Sequence, residues 1–382
     1  MPVKQHVLLV PGFFGFANLG DFAYFGHVRE FLTRWWKRAG IAGEIHVVAT
    51  HPTASLTRRA ARVLETIAEF AGDDDVFHLI GHSSGGIDVR LMTSPGVSLP
   101  STVDVERYAS RVRSVVSLSS PQHGSPLAGF LTSLLGRELL RLISLVTIYT
   151  LRTGRVPIAA VFHLVRLLAL EQLPVGAGTL LNQVYRDLLS DFSHERRAAL
   201  DQFFVDVGSD QELIAQITPS GMALFNAATR DRPGVRYGSV VTLVPPPGLR
   251  SVWTTGLSPF RQATHALFTA FYRITARMPS DPLPLTPAQA TALDAAYGRL
   301  PYLRDNDGMV PTLSQIWGDV VWAGFGDHLD ALGHFYLPSH VPPHFDWLNS
   351  GAHVDLGSYE RLWASVARYL LGTGSTGSSA KT

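Results

Sequence analysis

The sequence predicts an α/β protein with a mostly parallel central sheet, helices on both faces and helical insertions. Three observations carry this. Short apolar runs alternate with helix-compatible segments over residues 1–125. One of these runs, Val76-Phe-His-Leu-Ile80, enters the turn Gly81-His82-Ser83-Ser84-Gly85 and opens onto an apolar, helix-compatible segment at 87–92. Leu-rich stretches poor in charge then interrupt the alternation.

The elements follow in order. His6-Val-Leu-Leu-Val10 is the first strand, and Pro11-Gly12-Phe13-Phe14-Gly15 is the loop after it. Residues 54–71 form an amphipathic helix with Arg58, Arg59 and Arg62 on one side and Leu56, Val63 and Ile67 on the other. Gly72-Asp73-Asp74-Asp75 turns into the Val76 strand, and residues 112–118 form the next. A helical insertion spans 126–195, where the runs 142–151 and 156–165 carry no charge and 167–170 extends the second. That is more apolar surface than a helix packed on one side needs, so the insertion is either a fixed cap or a mobile lid. The core continues over 196–245, with a helix at 195–204 and a strand at 236–243. Pro245-Pro-Pro-Gly248 opens a second insertion, 246–299, whose helix at 258–278 aligns Leu267, Phe268, Phe271 and Tyr272 as a core stripe. Residues 300–371 return to the core with a strand at 320–323 and a last helix at 358–371. The small, polar tail 372–382 is expected to be disordered. No internal repeat is visible.

The turn at Gly81–Gly85 has the strand–turn–helix setting of a nucleophile elbow, which makes Ser83 the candidate nucleophile. Glycine on both sides avoids collision between the crossing strand and helix. In such sites two backbone N–H groups bind the developing oxyanion. One belongs to the residue after the nucleophile, Ser84, and the other to the first strand-to-helix loop, here Phe13. The acid and base come late. Asp307 lies in the polar turn Arg304-Asp-Asn-Asp-Gly308, and His328 follows one strand later in Gly326-Asp-His-Leu-Asp330. The order Ser83, Asp307, His328 is the one this arrangement uses. Asp305, Asp327 and Asp330 compete with Asp307 for the acid role.

With these residues in place, the chain resembles the bacterial true lipases, α/β-hydrolase triacylglycerol lipases with a helical lid. The resemblance rests on Leu8-Leu-Val-Pro-Gly-Phe13, Gly81-His-Ser-Ser-Gly85, Ser120-Pro-Gln-His-Gly-Ser-Pro-Leu-Ala128, and Asn306-Asp-Gly-Met-Val310 with Asp327-His-Leu-Asp330. Ile217-Thr-Pro-Ser-Gly-Met-Ala-Leu-Phe-Asn226 is similar to the segment after the lid. The resemblance implies an α/β-hydrolase fold, ester hydrolysis through an acyl-enzyme on Ser83, a lipid or other apolar ester as substrate, and no cofactor for the chemistry. It also implies a structural calcium near the catalytic histidine, with Asp330 matching one ligand. Asp281 is the nearest candidate by order for a second. Two departures stand out: Pro11 replaces the usual histidine before the first glycine of the oxyanion loop, and Gln122-His123 replaces a His-Arg or His-Asp pair. His123 is read as bracing its loop.

Composition bounds the alternatives. The 382 residues are 46% hydrophobic and 16% charged, and the formal net charge is +1, which argues against a nucleic-acid partner held by its phosphates. No cysteine is present, which excludes a thiolate nucleophile and Cys-ligated zinc. No apolar run has the length of a membrane span. No signal peptide precedes the first strand, so a cytoplasmic location is expected, or a secreted one after removal of a signal. His334, His340, His344 and His353 crowd one Pro-rich region with spacings that fit no compact zinc set, and they are read as ordinary loop histidines. Besides a lipase, the residues admit an acyltransferase on the same scaffold, a short-chain carboxylesterase with a rigid cap, and a non-catalytic binding module.

Overall fold

The computed structural model describes residues 3–13, 24–133, 160–161, 186, 212–248, 251, 255–256, 258–278 and 283–373. Most of the first insertion lies outside the described residues, as do the helix expected at 195–204, Asp281 and residues 374–382.

Six strands form one sheet: β1 (Gln5–Val10), β2 (Gly43–Val47), β3 (Val76–His82), β4 (Val112–Leu118), β5 (Arg236–Leu243) and β6 (Asp319–Phe325). Their order is β2-β1-β3-β4-β5-β6, and every neighbouring pair is parallel. The chain moves from β1 outward to β2, then crosses back to β3 on the other side of β1. The carboxyl ends of β1 and β3 therefore meet at a topological switch point, the place where open α/β sheets bind ligands. Their register runs unbroken from Gln5↔Val76 to Val10↔Gly81, so the two strands end side by side.

The period-2 alternation of β1 divides the core. Leu8 and Val10 pack with Val63, Ile67, Phe77, Leu79 and Ile87 under α2 (Leu56–Phe70) and α3 (Ser84–Thr93). Val7 and Leu9 pack with Ile80, Val116, Leu118 and Trp363 on the opposite face. That face is covered by α1 (Gly26–Ala39) and the last helix, Leu356–Leu371. The expected amphipathic helix is thus present as α2, with one correction. Arg59 does not join Arg58 and Arg62 on the solvent side but is 1% exposed. Successive helical residues are too far apart around the axis to share a face, and Arg59 finds a buried partner in Asp88 of α3 at 2.7 Å.

Further helices among the described residues are α4 (Val105–Ala109), α5 (Pro126–Leu131), α6 (Glu212–Gln216), α7 (Pro219–Ala228), α8 (Pro259–Thr275) and α9 (Pro287–Tyr297), followed by α10 (Leu356–Leu371). In α8, Phe268, Phe271 and Tyr272 of the expected stripe are buried, while Leu267 at its edge is half-buried. Among the described residues no helix is long and apolar enough to cross a membrane.

Candidate active site

Ser83 sits at the end of β3 with φ 55° and ψ −129°, and α3 starts at the next residue. Positive φ is disfavoured for a serine, and such strain, about 1–3 kcal/mol, persists only where the surroundings enforce it. Here they do: the Ser83 N–H donates to the Leu118 carbonyl at 2.9 Å, and a Cβ on Gly81 would lie 2.2 Å from the Gly85 carbonyl oxygen. A Cβ on Gly12 would lie 2.5 Å from the Cβ of Ser83, so the loop after β1 touches the elbow directly. Ser84 provides the first N–H of α3, which has no acceptor within its own helix and lies at the positive end of the helix dipole.

Asp307 and His328 are brought together. His328 Nδ1 donates to Asp307 Oδ2 at 2.9 Å, and the His328 N–H donates to the Asp307 carbonyl at 3.0 Å. Asp307 is fully buried and its carboxylate is enclosed by donors. Oδ1 accepts the N–H groups of Met309 and Val310 at 2.9 and 2.7 Å; Oδ2 also accepts Thr242 Oγ1 at 3.1 Å and Gln315 Nε2 at 3.2 Å. The competing carboxylates have other partners. Asp305 pairs with Arg299 at 2.6 Å, Asp327 accepts the Leu329 N–H at 2.9 Å, and Asp330 accepts the Asp327 N–H at 2.8 Å. The His328 ring lies 4.7 Å from that of His82, the residue before Ser83. No hydrogen bond joins Ser83 to His328 among the described residues; such contacts commonly tighten only when substrate is bound.

No family model matches this chain, and neither does any curated protein. Among solved structures, it is similar to lipase 1 from Pelosinus fermentans, with a TM-score of 0.52 and 16% identity over 95% of this chain and 98% of that one. It is also similar to a carboxyl esterase of metagenomic origin, with a TM-score of 0.50 and 18% identity over 97% of this chain and 77% of that one. The chain has the α/β-hydrolase fold. The six parallel strands, with an elbow after β3 at the switch point, are its central features.

Within this α/β-hydrolase scaffold three residues that the motifs did not single out brace the site. His82 Nε2 donates to the His328 carbonyl at 2.8 Å, which leaves Nδ1 as an acceptor for the Tyr24 hydroxyl at 2.6 Å. Tyr24 Oη in turn accepts the Gly12 N–H at 3.4 Å. Burial holds the His82 imidazole well below its ordinary pKa, hence neutral, and pushes the Tyr24 phenol up. One relay of hydrogen bonds thus ties the loop after β1, the elbow and the loop that carries His328. The Arg59 guanidinium donates to the Pro11 carbonyl at 2.8 Å. This contact anchors the loop after β1 to α2. Tyr24→Phe leaves His82 Nδ1 buried without a donor, and is expected to lower stability by about 1–3 kcal/mol in denaturant unfolding. His123 donates its backbone N–H to Ser314 Oγ at 3.1 Å, which fits a bracing role.

Beyond His328 lies an acidic pocket. Asp330 and Asp346 line a cavity of about 180 Å³ with Asn349, Ser350 and Arg261. Burial raises the pKa of Asp330 and of adjacent Asp327 well above the ordinary carboxylate value, and that of Asp346 to about 7. Carboxylates concentrated in this way, with further oxygen atoms around them, are the donor chemistry that calcium takes. Asp346 is an acidic partner for Asp330 that chain order did not suggest.

Proposed function

We propose that the protein is a serine hydrolase that cleaves carboxylic esters of lipids, a lipase or esterase working through an acyl-enzyme on Ser83. The 2.9 Å contact between His328 and the enclosed Asp307 carboxylate, beside a serine on a strained elbow, is the observation that most supports this. Ser83 Oγ attacks the ester carbonyl carbon while His328 Nε2 takes the hydroxyl proton. Asp307 keeps the proton on Nδ1 and stabilises the imidazolium. The carbonyl oxygen becomes an oxyanion facing the N–H groups of Phe13 and Ser84. Collapse breaks the ester C–O bond, and His328 returns the proton to the leaving alcohol. Water then attacks the acyl-enzyme by the same steps in reverse. The insertion 126–195 would act as a lid whose apolar face turns toward lipid when open.

The test is a series of p-nitrophenyl esters from C2 to C16, with emulsified and monomeric substrate compared. Preference for medium or long chains and a rise in rate at the solubility limit are expected. Preference for acetate, with a smooth concentration dependence, would indicate a rigid cap. Product dominated by transfer to an added alcohol would indicate an acyltransferase.

A calcium ion would be held by Asp330 and Asp346, where its charge offsets that of the buried carboxylates and steadies the loop carrying His328. Chelation is expected to lower the melting temperature of the wild type. Asp330→Asn should remove that sensitivity, as read by thermal unfolding with and without EGTA.

A further inference from the structure

We propose that His27, His340 and His344 form a second metal site, for a divalent transition ion of the zinc type. His27 lies in the first turn of α1, and the other two lie in the loop that follows β6. One ring nitrogen from each lies within 4.8 Å of the others.

The hydrogen bonds fix which nitrogens are available. His344 Nδ1 donates to the Gly333 carbonyl at 2.6 Å, so its Nε2 carries the lone pair. That Nε2 is buried and has no hydrogen-bond partner. His340 Nδ1 donates to the Pro342 carbonyl at 2.9 Å, which leaves its Nε2 as the ligand atom. The His27 ring stacks on that of His344, with centroids 3.7 Å apart. His340 and His344 thus each give one ring nitrogen to a backbone carbonyl and keep the other available. Metal-binding histidines are oriented in this way, by donating the second ring N–H to a carbonyl or carboxylate.

Aromatic packing alone accounts for less. His344 stacks between Phe335, at 4.4 Å, and His27, at 3.7 Å. A phenylalanine at 344 would fill that place without burying an unpartnered nitrogen. The His27 and His344 planes are 11° from parallel, so one ring must tilt for both lone pairs to meet an ion. His27, partly exposed, has the freedom to do so, and the exposed contact at His340 is an entry path. Three imidazoles without a carboxylate select zinc-like ions over calcium or magnesium. Three protein ligands also leave a fourth position for water. A second cluster, His6, Glu44 and His46, has its nitrogens already engaged: His6 contacts His46 and Asp75, both at 3.0 Å. It serves as the internal control. The loop spacings alone did not suggest a site because the third ligand comes from the other end of the chain.

The full chain, stripped of metal and held in excess calcium to occupy acidic sites, would be titrated with zinc by calorimetry. The cobalt form would be examined for tetrahedral d–d bands. One zinc per chain is expected. His27→Gln and His340→Gln should each weaken it by more than about 100-fold, beyond what outer-shell changes cost, and His46→Gln should leave it unchanged. Both test substitutions are partly exposed, and circular dichroism would verify folding. Absence of stoichiometric binding, unchanged affinity in both variants, or loss only in His46→Gln would overturn the site.

Discussion

Ser83→Ala is expected to abolish ester turnover while the protein stays folded. Its hydroxyl makes no hydrogen bond among the described residues, and the backbone strain at φ 55° is borne equally by alanine, so little stability is at stake. The chemistry, in contrast, loses its nucleophile. Members of such a triad act as a unit, and removing one costs several orders of magnitude in kcat. Initial rates on a p-nitrophenyl ester, paired with denaturant unfolding of the same preparation, measure both quantities. Near-native turnover in a folded Ser83→Ala protein would remove the assignment of Asp307, His328, Phe13 and Ser84 with it.

Asp307→Asn is expected to lower kcat by about 10³–10⁴-fold, the loss that follows when the imidazole adopts the wrong tautomer. The surroundings dictate how the amide must sit. Its oxygen is needed where Oδ1 accepts the N–H groups of Met309 and Val310, so the NH2 replaces Oδ2. There it donates to His328 Nδ1, which drives the ring proton to Nε2 and disables it as a base toward Ser83. It also faces the Gln315 amide, formerly a donor at 3.2 Å, so some loss of stability accompanies the loss of rate. Asp305→Asn should instead weaken the pairing with Arg299 and leave kcat nearly unchanged. Equal, large losses of kcat at both positions would leave the acid unassigned.

Local pattern made much of this architecture readable. β4 and β5 span the same residues as the runs that predict them, because each carries paired valines flanked by small hydroxyl residues inside a strand buried on both faces. The elbow was legible because both its glycines flank the serine in sequence, although only Gly81 is required by a local contact, with Gly85; Gly85 itself is required by the Val10 carbonyl of β1. Helix α9 carries its own start signal, the capping box of Thr286 and Gln289 with Pro287 between them. What stayed hidden depends on distant partners. Arg59 reads as surface until Asp88 is seen beside it, and Tyr24 has no motif around it, since its partners are Gly12 and His82. The choice among Asp305, Asp307, Asp327 and Asp330 turns on where each carboxylate points. The turn at Met309 and Val310 decides that for Asp307.

The grip of His82 is on the main chain of His328, not on its ring. The root of the proposed base is therefore fixed to the same strand end that carries Ser83, while its ring is held separately, by the Asp307 carboxylate. A proton taken from Ser83 and one returned to a departing alcohol lie at different points in space. In the proposed mechanism a small tilt of the imidazole that keeps its Asp307 hydrogen bond would span them, with no rearrangement of the loop that bears His328.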